Sequence, residues 1–350
     1  MSKVLIIRLS AIGDVAMTIP VIYSVAAANP GDSFTVLTQT FLMPLFINRP
    51  QNVDVMGVNT KTTEKSFFGF LRYALMLRMY KFDIVLDLHS VIRTRIVDFI
   101  FCLNGKKVFR INKNRSERKQ LTATPPKTIY PLRPVTDRYA DVFRLAGFNV
   151  ENTFVSLYTN NSSDKDISAM VGEKKGRWIG IAPFARHKGK IYPSDMMEKV
   201  VEALVGHRSG DIQDGGITIF LFGARGDEER ILKQWEGKYQ NTICVVGRFS
   251  LDKELPLISQ LDVLVSMDSA NMPLASLVGT DVISVWGATH PYTGFYGYKQ
   301  RANLVIQADL PCRPCSIYGN KPCHRGDWAC MNEISPEQIV SKINDYLNEE

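Results

Sequence analysis

Three short stretches of this 350-residue chain carry the side chains best suited to chemistry. The first ends an apolar run, Val4-Leu5-Ile6-Ile7, in the turn Ser10-Ala11-Ile12-Gly13-Asp14. Gly13 leaves the backbone open to a close approach, and Asp14 either caps the following helix or offers a carboxylate to a ligand. The turn lacks the G-x-G-x-x-G spacing of dinucleotide sites, which argues against a nicotinamide enzyme. The second stretch, Val265-Ser266-Met267-Asp268-Ser269-Ala270-Asn271, reads as a strand running into a helix start. N–H groups after Asp268 suit a diphosphate at the positive end of the helix dipole; ordinary capping by Asp268 or Ser269 is the alternative. The third places Arg186, His187, Lys188 and Lys190 just after an expected strand at 178–182. Four potential cations within five residues repel one another unless an anion visits. Between these, the loop after Leu221 carries Asp227 and Glu228, which either accept hydrogen bonds from ribose hydroxyls or sit solvated in a first helical turn. No D-x-D pair follows a strand, so no Mg²⁺ or Mn²⁺ site is legible, and no cofactor is expected. The charge of a leaving diphosphate falls to Lys, Arg and helix dipoles.

Composition narrows the partners. Hydrophobic residues make up 45% and charged residues 22%, the balance of a folded globular protein, and the formal charge is +7. That excess favours acidic partners. It is concentrated between Lys106 and Lys119, where Lys106, Lys107, Arg110, Lys113, Arg115, Arg118 and Lys119 face a single Glu117. The stretch is either a solvated basic loop or an anion-binding surface. Aromatic residues scarcely interleave it, so nucleic acid is not an expected partner. No run of 18 apolar residues occurs, and the N-terminal apolar run meets Arg8 at once, so a cytoplasmic protein without a spanning segment or secretory signal is expected. Cys312, Cys315, Cys323 and Cys330 cluster late; thiolates at such spacing can hold a structural zinc, the alternative being free thiols in a reducing compartment.

The elements that position these residues follow one grammar twice. Strands are expected at 3–9, 33–37, 53–58 and 82–88, then at 178–182, 217–222, 242–246, 261–266 and 282–286, with helical stretches between them. Continuous apolar runs such as Ile84-Val85-Leu86 suit strands buried on both faces, and the alternation indicates an α/β protein of doubly wound domains. A polar, Gly-containing stretch at 159–177, including Asn160-Asn161-Ser162-Ser163, marks the boundary. The expected domains are residues 1–165, residues 176–334 and a terminal helix at 335–350, capped by Ser335 with Pro336 at its first position. Two such halves place a ligand cleft between them.

In order and spacing these segments resemble glycosyltransferase family 9, the bacterial heptosyltransferases of lipopolysaccharide core synthesis. The resemblance rests on Leu9-Ser10-Ala11-Ile12-Gly13-Asp14-Val15 with Thr18 and Pro20, on Phe82-Asp83-Ile84-Val85-Leu86-Asp87-Leu88-His89, and on Lys190-Ile191-Tyr192-Pro193. Phe222-Gly223-Ala224 with Asp227 and Glu228, Gly247-Arg248-Phe249-Ser250-Leu251, Asp268-Ser269-Ala270, Trp286-Gly287-Ala288-Thr289-His290-Pro291 and the late cysteines follow in the family's order. It spans nearly the whole chain. It implies a GT-B fold, two Rossmann-like domains facing a central cleft: an acceptor-binding N-terminal one and a donor-binding C-terminal one. It also implies inverting, metal-independent transfer of heptose from ADP-heptose to the inner core of an anionic, lipid-linked saccharide. In that reading Asp14 is the general base and Lys190 meets the departing diphosphate. Gly13, Arg186, Asp227, Glu228, Phe249, Asp268, Ser269, Ala270 and Asn271 surround the donor, with Phe249 at the adenine and Asp227 or Glu228 at the ribose. Arg8, Asp87, His89, Arg93, Lys113 and Arg115 face the acceptor, in peripheral contact with the cytoplasmic face of the inner membrane. Two positions depart from the family pattern D-[ST]-G-x-x-H-x-A: Ala270 replaces the Gly and Pro273 the His. The alternatives are a GT-B transferase for another nucleotide sugar, or a member that has lost activity and only binds one.

Overall fold

The computed structural model describes residues 1–158, 164–206 and 216–349, side chains at 164–166 apart. The chain divides into two compact units, Met1–Lys113 with Arg133–Leu157, and Asn114–Leu132 with Tyr158–Glu350. The Asn160–Ser163 part of the expected boundary lies outside the described residues.

The first unit is a five-stranded parallel sheet in the order β3-β2-β1-β4-β5. Its strands are β1 (Lys3–Ile7), β2 (Ser33–Gln39), β3 (Val53–Val58), β4 (Ile84–Asp87) and β5 (Lys107–Arg110). The helices are α1 (Ile12–Ala16), α2 (Ile19–Ala28), α3 (Phe67–Met76) and α4 (Ile92–Leu103), with α5 (Arg115–Leu121) passing to the second unit and α6 (Val135–Leu145) returning. Successive residues of a strand point to opposite faces. Leu5 and Ile7 accordingly join Phe70, Ala74, Val97 and Phe101 of α3 and α4 in one buried cluster. On β2 the alternate residue Phe34 packs edge-on to Phe148, with ring centroids 5.4 Å apart, and leans on Phe143 of α6. Ser66 starts α3 by accepting from the Gly69 amide at 3.0 Å.

The second unit is a six-stranded parallel sheet, β11-β10-β9-β6-β7-β8. Its strands are β6 (Arg177–Ala182), β7 (Ile217–Leu221), β8 (Thr242–Cys244), β9 (Val263–Met267), β10 (Val282–Trp286) and β11 (Val305–Gln307). Around them lie α7 (Asp164–Val171), α8 (Ser194–Gly206), α9 (Asp227–Lys238), α10 (Leu251–Ser259), α11 (Asn271–Val278), α12 (Ala329–Asn332) and α13 (Pro336–Glu349). One core runs from Ile179, Val265 and Val285 on the strands to Val200 of α8 and to Ile339 and Ile343 of α13, so the terminal helix is part of this unit. Ser335 and Gln338 cap it reciprocally.

Three features differ from the sequence expectations. Part of the basic stretch 106–119 is a strand, β5, at the sheet edge, where charged residues are normal because they discourage further pairing. The three-residue edge strand β11 was not expected at all. Residues 114–132, expected within the N-terminal domain, group with the second unit. Lys127 Nζ there donates to the carbonyls of Cys312 at 3.0 Å and Pro314 at 2.5 Å, and the Leu132 amide donates to Tyr292 O at 2.8 Å.

Candidate active site

Strand order reverses once in each sheet, between β1 and β4 in the first unit and between β6 and β9 in the second. At such a reversal the connections leave toward opposite faces, and the carboxyl ends of the two strands open a crevice. Both groups of expected reactive residues lie there.

In the first unit Ile7 lies opposite Asp87, so the turns after β1 and β4 emerge side by side. Asp14 sits in the first turn of α1, three residues after its Ala11 cap, and is not itself the cap. Its Oδ2 lies 2.6 Å from Arg8 Nη2 and accepts from the Ala11 amide at 3.2 Å. Arg8 is buried, donates Nη1–H to Leu88 O at 2.8 Å and lies over the ring of Tyr139. Burial opposes its charge, but Tyr139, Asp14 and Asp87 outweigh that and hold the guanidinium above its ordinary value. The Tyr139 hydroxyl donates to Asp14 O at 3.4 Å. His89 is pushed down to about 3 by burial and by the cations Arg8 and Lys113, so its imidazole is neutral near pH 7. Its Nδ1 accepts from the Leu9 amide, and its Nε2 lies 3.4 Å from Ser10 Oγ, binding the β4 turn to the β1 turn.

Asp87, expected at the acceptor, is instead wholly buried. Its Oδ1 accepts from the His89 and Ser90 amides and its Oδ2 from Thr94 Oγ1 at 2.7 Å. Both oxygens are spent on closing the turn that carries His89 and on starting α4. Arg93 donates to Lys65 O at 3.3 Å and lies over the Phe70 ring. Lys113 belongs to this unit, whereas exposed Arg115 opens α5 in the other.

In the second unit Ala182 lies opposite Ser266, so the loops after β6 and β9 are neighbours. They meet in an ion pair, Lys190 Nζ to Asp268 Oδ2 at 2.8 Å, both side chains being largely buried. Lys190 ends a tight turn, Lys188–Lys190, whose Gly189 carbonyl accepts from the Ala288 amide at 2.8 Å. Any Cβ at Gly319 would lie 2.6 Å from Lys190 Cγ, so this glycine, which the motifs did not single out, gives the lysine its path. Ser269 Oγ lies 3.3 Å from Ser266 Oγ and accepts from the Asn271 amide at 3.4 Å, while Ala270 occupies the cap position of α11. Pro273 stands in the first turn, buried, where its missing N–H has no intrahelical partner to lose. Arg186 is exposed.

Two further loops leave the same edge. Glu228 Oε2 accepts from the Ala224 amide at 2.7 Å and so closes its own loop, while Asp227 is solvent-exposed beside Arg230. The loop of Gly247 and half-buried Phe249 comes close, since a Cβ at Gly247 would meet Arg225 Nε at 3.5 Å. Sequence reasoning also missed Arg313. It is buried, and its guanidinium donates to the carbonyls of Trp286, Gly287, Thr289 and Ala308, fixing the turn after β10. Cys312, Cys315, Cys323 and Cys330 line one small pocket with it. Burial pushes the Cys315 thiol up, and the Cys330 thiol up to about 11. Among the described residues no group of three His, Cys, Asp or Glu side chains is placed to hold a metal ion.

The model of glycosyltransferase family 9 (heptosyltransferase) matches residues 70–323. The chain belongs to this family. The lipopolysaccharide heptosyltransferase 1 of Pseudomonas aeruginosa is 22% identical over 378 aligned residues, covering 99% of this chain and 98% of that protein. Its namesake from Campylobacter coli is 21% identical, covering 99% and 100%. Among solved structures, the family 9 glycosyltransferase of Veillonella parvula superposes with a TM-score of 0.75 at 17% identity over 100% of this chain and 98% of that one. The E. coli ADP-heptose lipopolysaccharide heptosyltransferase II gives 0.71 at 16% identity, covering 99% of each chain. These likenesses establish the GT-B fold of two Rossmann-like domains, and the family makes this heptosyltransferase homologue a glycosyltransferase.

Proposed function

We propose that the protein transfers heptose from ADP-heptose to the inner core of a lipid-linked, anionic saccharide on the cytoplasmic face of the inner membrane, with inversion. The observation that carries the reading is the Asp14 carboxylate at the β1–β4 switch point, where both protein contacts fall on Oδ2. Oδ1 then takes the proton of the acceptor hydroxyl as its oxygen attacks the anomeric carbon. The bond from that carbon to the diphosphate oxygen breaks, and ADP departs with the electron pair. Lys190 and the amides after Asp268 meet the developing charge; a lysine ammonium has three donors, of which Asp268 engages one. No divalent metal is required of these groups. The donor assignment draws on an E. coli heptosyltransferase of this fold, solved with ADP-2-deoxy-2-fluoro heptose (17% identity, TM-score 0.64, covering 91% of this chain and 97% of that one). Arg8, Arg93, Lys113 and Arg115 are the acceptor-side cations of this reading. Ser269, Asn271, Phe249 and Asp227 are its donor contacts.

The test is Asp14→Asn. Turnover is expected to fall on the order of a hundredfold or more, the usual weight of a general base, with ADP affinity by calorimetry unchanged. Wild-type turnover at matched stability would reduce Asp14 to a partner of Arg8.

A further inference from the structure

The first unit carries a surface that the transfer chemistry does not use. Helices α3 and α4 lie side by side on one face of the sheet, and their inner residues share a single core. Their outer faces therefore point the same way, away from the sheet. On a soluble protein such faces are polar. Here α3 and the turn after it show Phe68, Leu75 and Met79 at helical spacing, and α4 shows Ile92, Phe99 and Leu103. Their exposures run from 44% for Leu75 to 89% for Ile92. Isolated exposed apolar residues are ordinary, but here five lie on two helices that pack side by side and a sixth on the turn after the first, a clustering that is a mark of an interaction site.

The charges within the patch have one sign. Arg72, Arg78 and Arg95 are exposed between the apolar residues, with Lys61, Lys65 and Lys81 on the adjoining loops. Between residues 61 and 107 the acids are Glu64, Asp83, Asp87 and Asp98. Asp87 and Asp98 are buried, Glu64 is turned onto the Asn59 amide and Asp83 is paired with Lys106. Large apolar side chains interleaved with arginine are what an anionic bilayer surface takes up: rings and aliphatic chains enter the acyl boundary while guanidinium groups stay among the phosphates.

We infer that the α3–α4 face docks this protein onto an anionic lipid bilayer. The choice of a bilayer over a protein partner rests on the lipid-linked acceptor proposed above. The test uses vesicles of phosphatidylethanolamine and phosphatidylglycerol that contain no acceptor, so its result does not depend on transfer. The wild-type chain is expected to sediment with them, and much less so when phosphatidylcholine replaces the phosphatidylglycerol. Met79→Glu with Phe99→Glu is expected to lower the partition coefficient at least tenfold, since each removed side chain is worth on the order of tenfold or more. Circular dichroism checks its fold, and Phe68→Ser with Leu103→Ser replaces it if the fold is lost. The inference is overturned if the wild-type chain stays in the supernatant, or if folded variants sediment as it does. It is equally overturned if light scattering finds a dimer that the variants abolish while vesicles capture nothing. Vesicle binding without any transferase activity would leave the docking surface standing and remove the functional reading alone.

Discussion

Lys190 and Asp268 are held together by more than their charges. With side-chain exposures of 15% and 9%, neither is well hydrated, and the glycine at 319 leaves just the room the lysine needs. Removing one partner strands the other, which costs more than the pair itself contributes. Lys190→Met is therefore expected to lower stability by about 1–3 kcal/mol and to weaken ADP binding as well. Adding Asp268→Asn should restore most of the stability, read as Tm, while leaving turnover low. If turnover returns along with Tm, Lys190 acts only as the neighbour of Asp268. Asp14, Lys190 and Asp268 were legible in the sequence because each closes a strand with a recognisable turn. The engagement of Asp87 was not, because a carboxylate that ends a strand reads the same whether it faces a ligand or its own turn. Arg8 was visible as a cation, but its ion pair depends on how the intervening turn folds back.

The strands were legible for a related reason. Those in the interior of a parallel sheet are apolar on both faces, and β1, β4, β6 and β9 all stand out as continuous runs. The edges of the sheets did not, because β5 is half basic and β11 is three residues long. The helix α4 hid a further feature, Asp98, which lies on its inner face, fully buried, against Arg110 of β5. Burial, and then the charge of Asp87, push its carboxyl up to about 7 from an ordinary 3.8, against the pull of Arg110. The folded protein thus binds this proton more tightly than the unfolded chain. The resulting stability is complete below 3.8 and is lost as pH rises through about 7. Thermal unfolding between about pH 5 and pH 8 should show the Tm of the wild type falling relative to that of Asp98→Asn as pH rises. Identical slopes in the two proteins would remove Asp98 as the cause.

The doubled strand-and-helix grammar made two domains legible at the scale of the whole chain. Residues 114–132 were not legible as a visit to the second unit. They continue a basic stretch and carry no periodicity that would assign them to either core. Their attachment can be measured separately, since Trp178, Trp235, Trp286 and Trp328 all belong to the second unit and report its unfolding alone. Lys127→Met removes a donor from the carbonyls of Cys312 and Pro314. It is expected to destabilise the tryptophan-monitored transition by about 1–3 kcal/mol, the cost of leaving half-buried acceptors unmet. A denaturant midpoint equal to that of wild type would mean that water replaces the lysine at no cost.

The chain passes between its units three times, after Lys113, after Leu132 and after Leu157. The first unit is therefore not one continuous stretch of gene. A hybrid that joins the front of this protein to the back of a relative at a single junction near residue 157 would deliver a foreign 114–132 to a second unit that did not evolve with it. Recombination within the family can exchange first units cleanly only with three crossovers, or among relatives whose 114–132 segments are interchangeable.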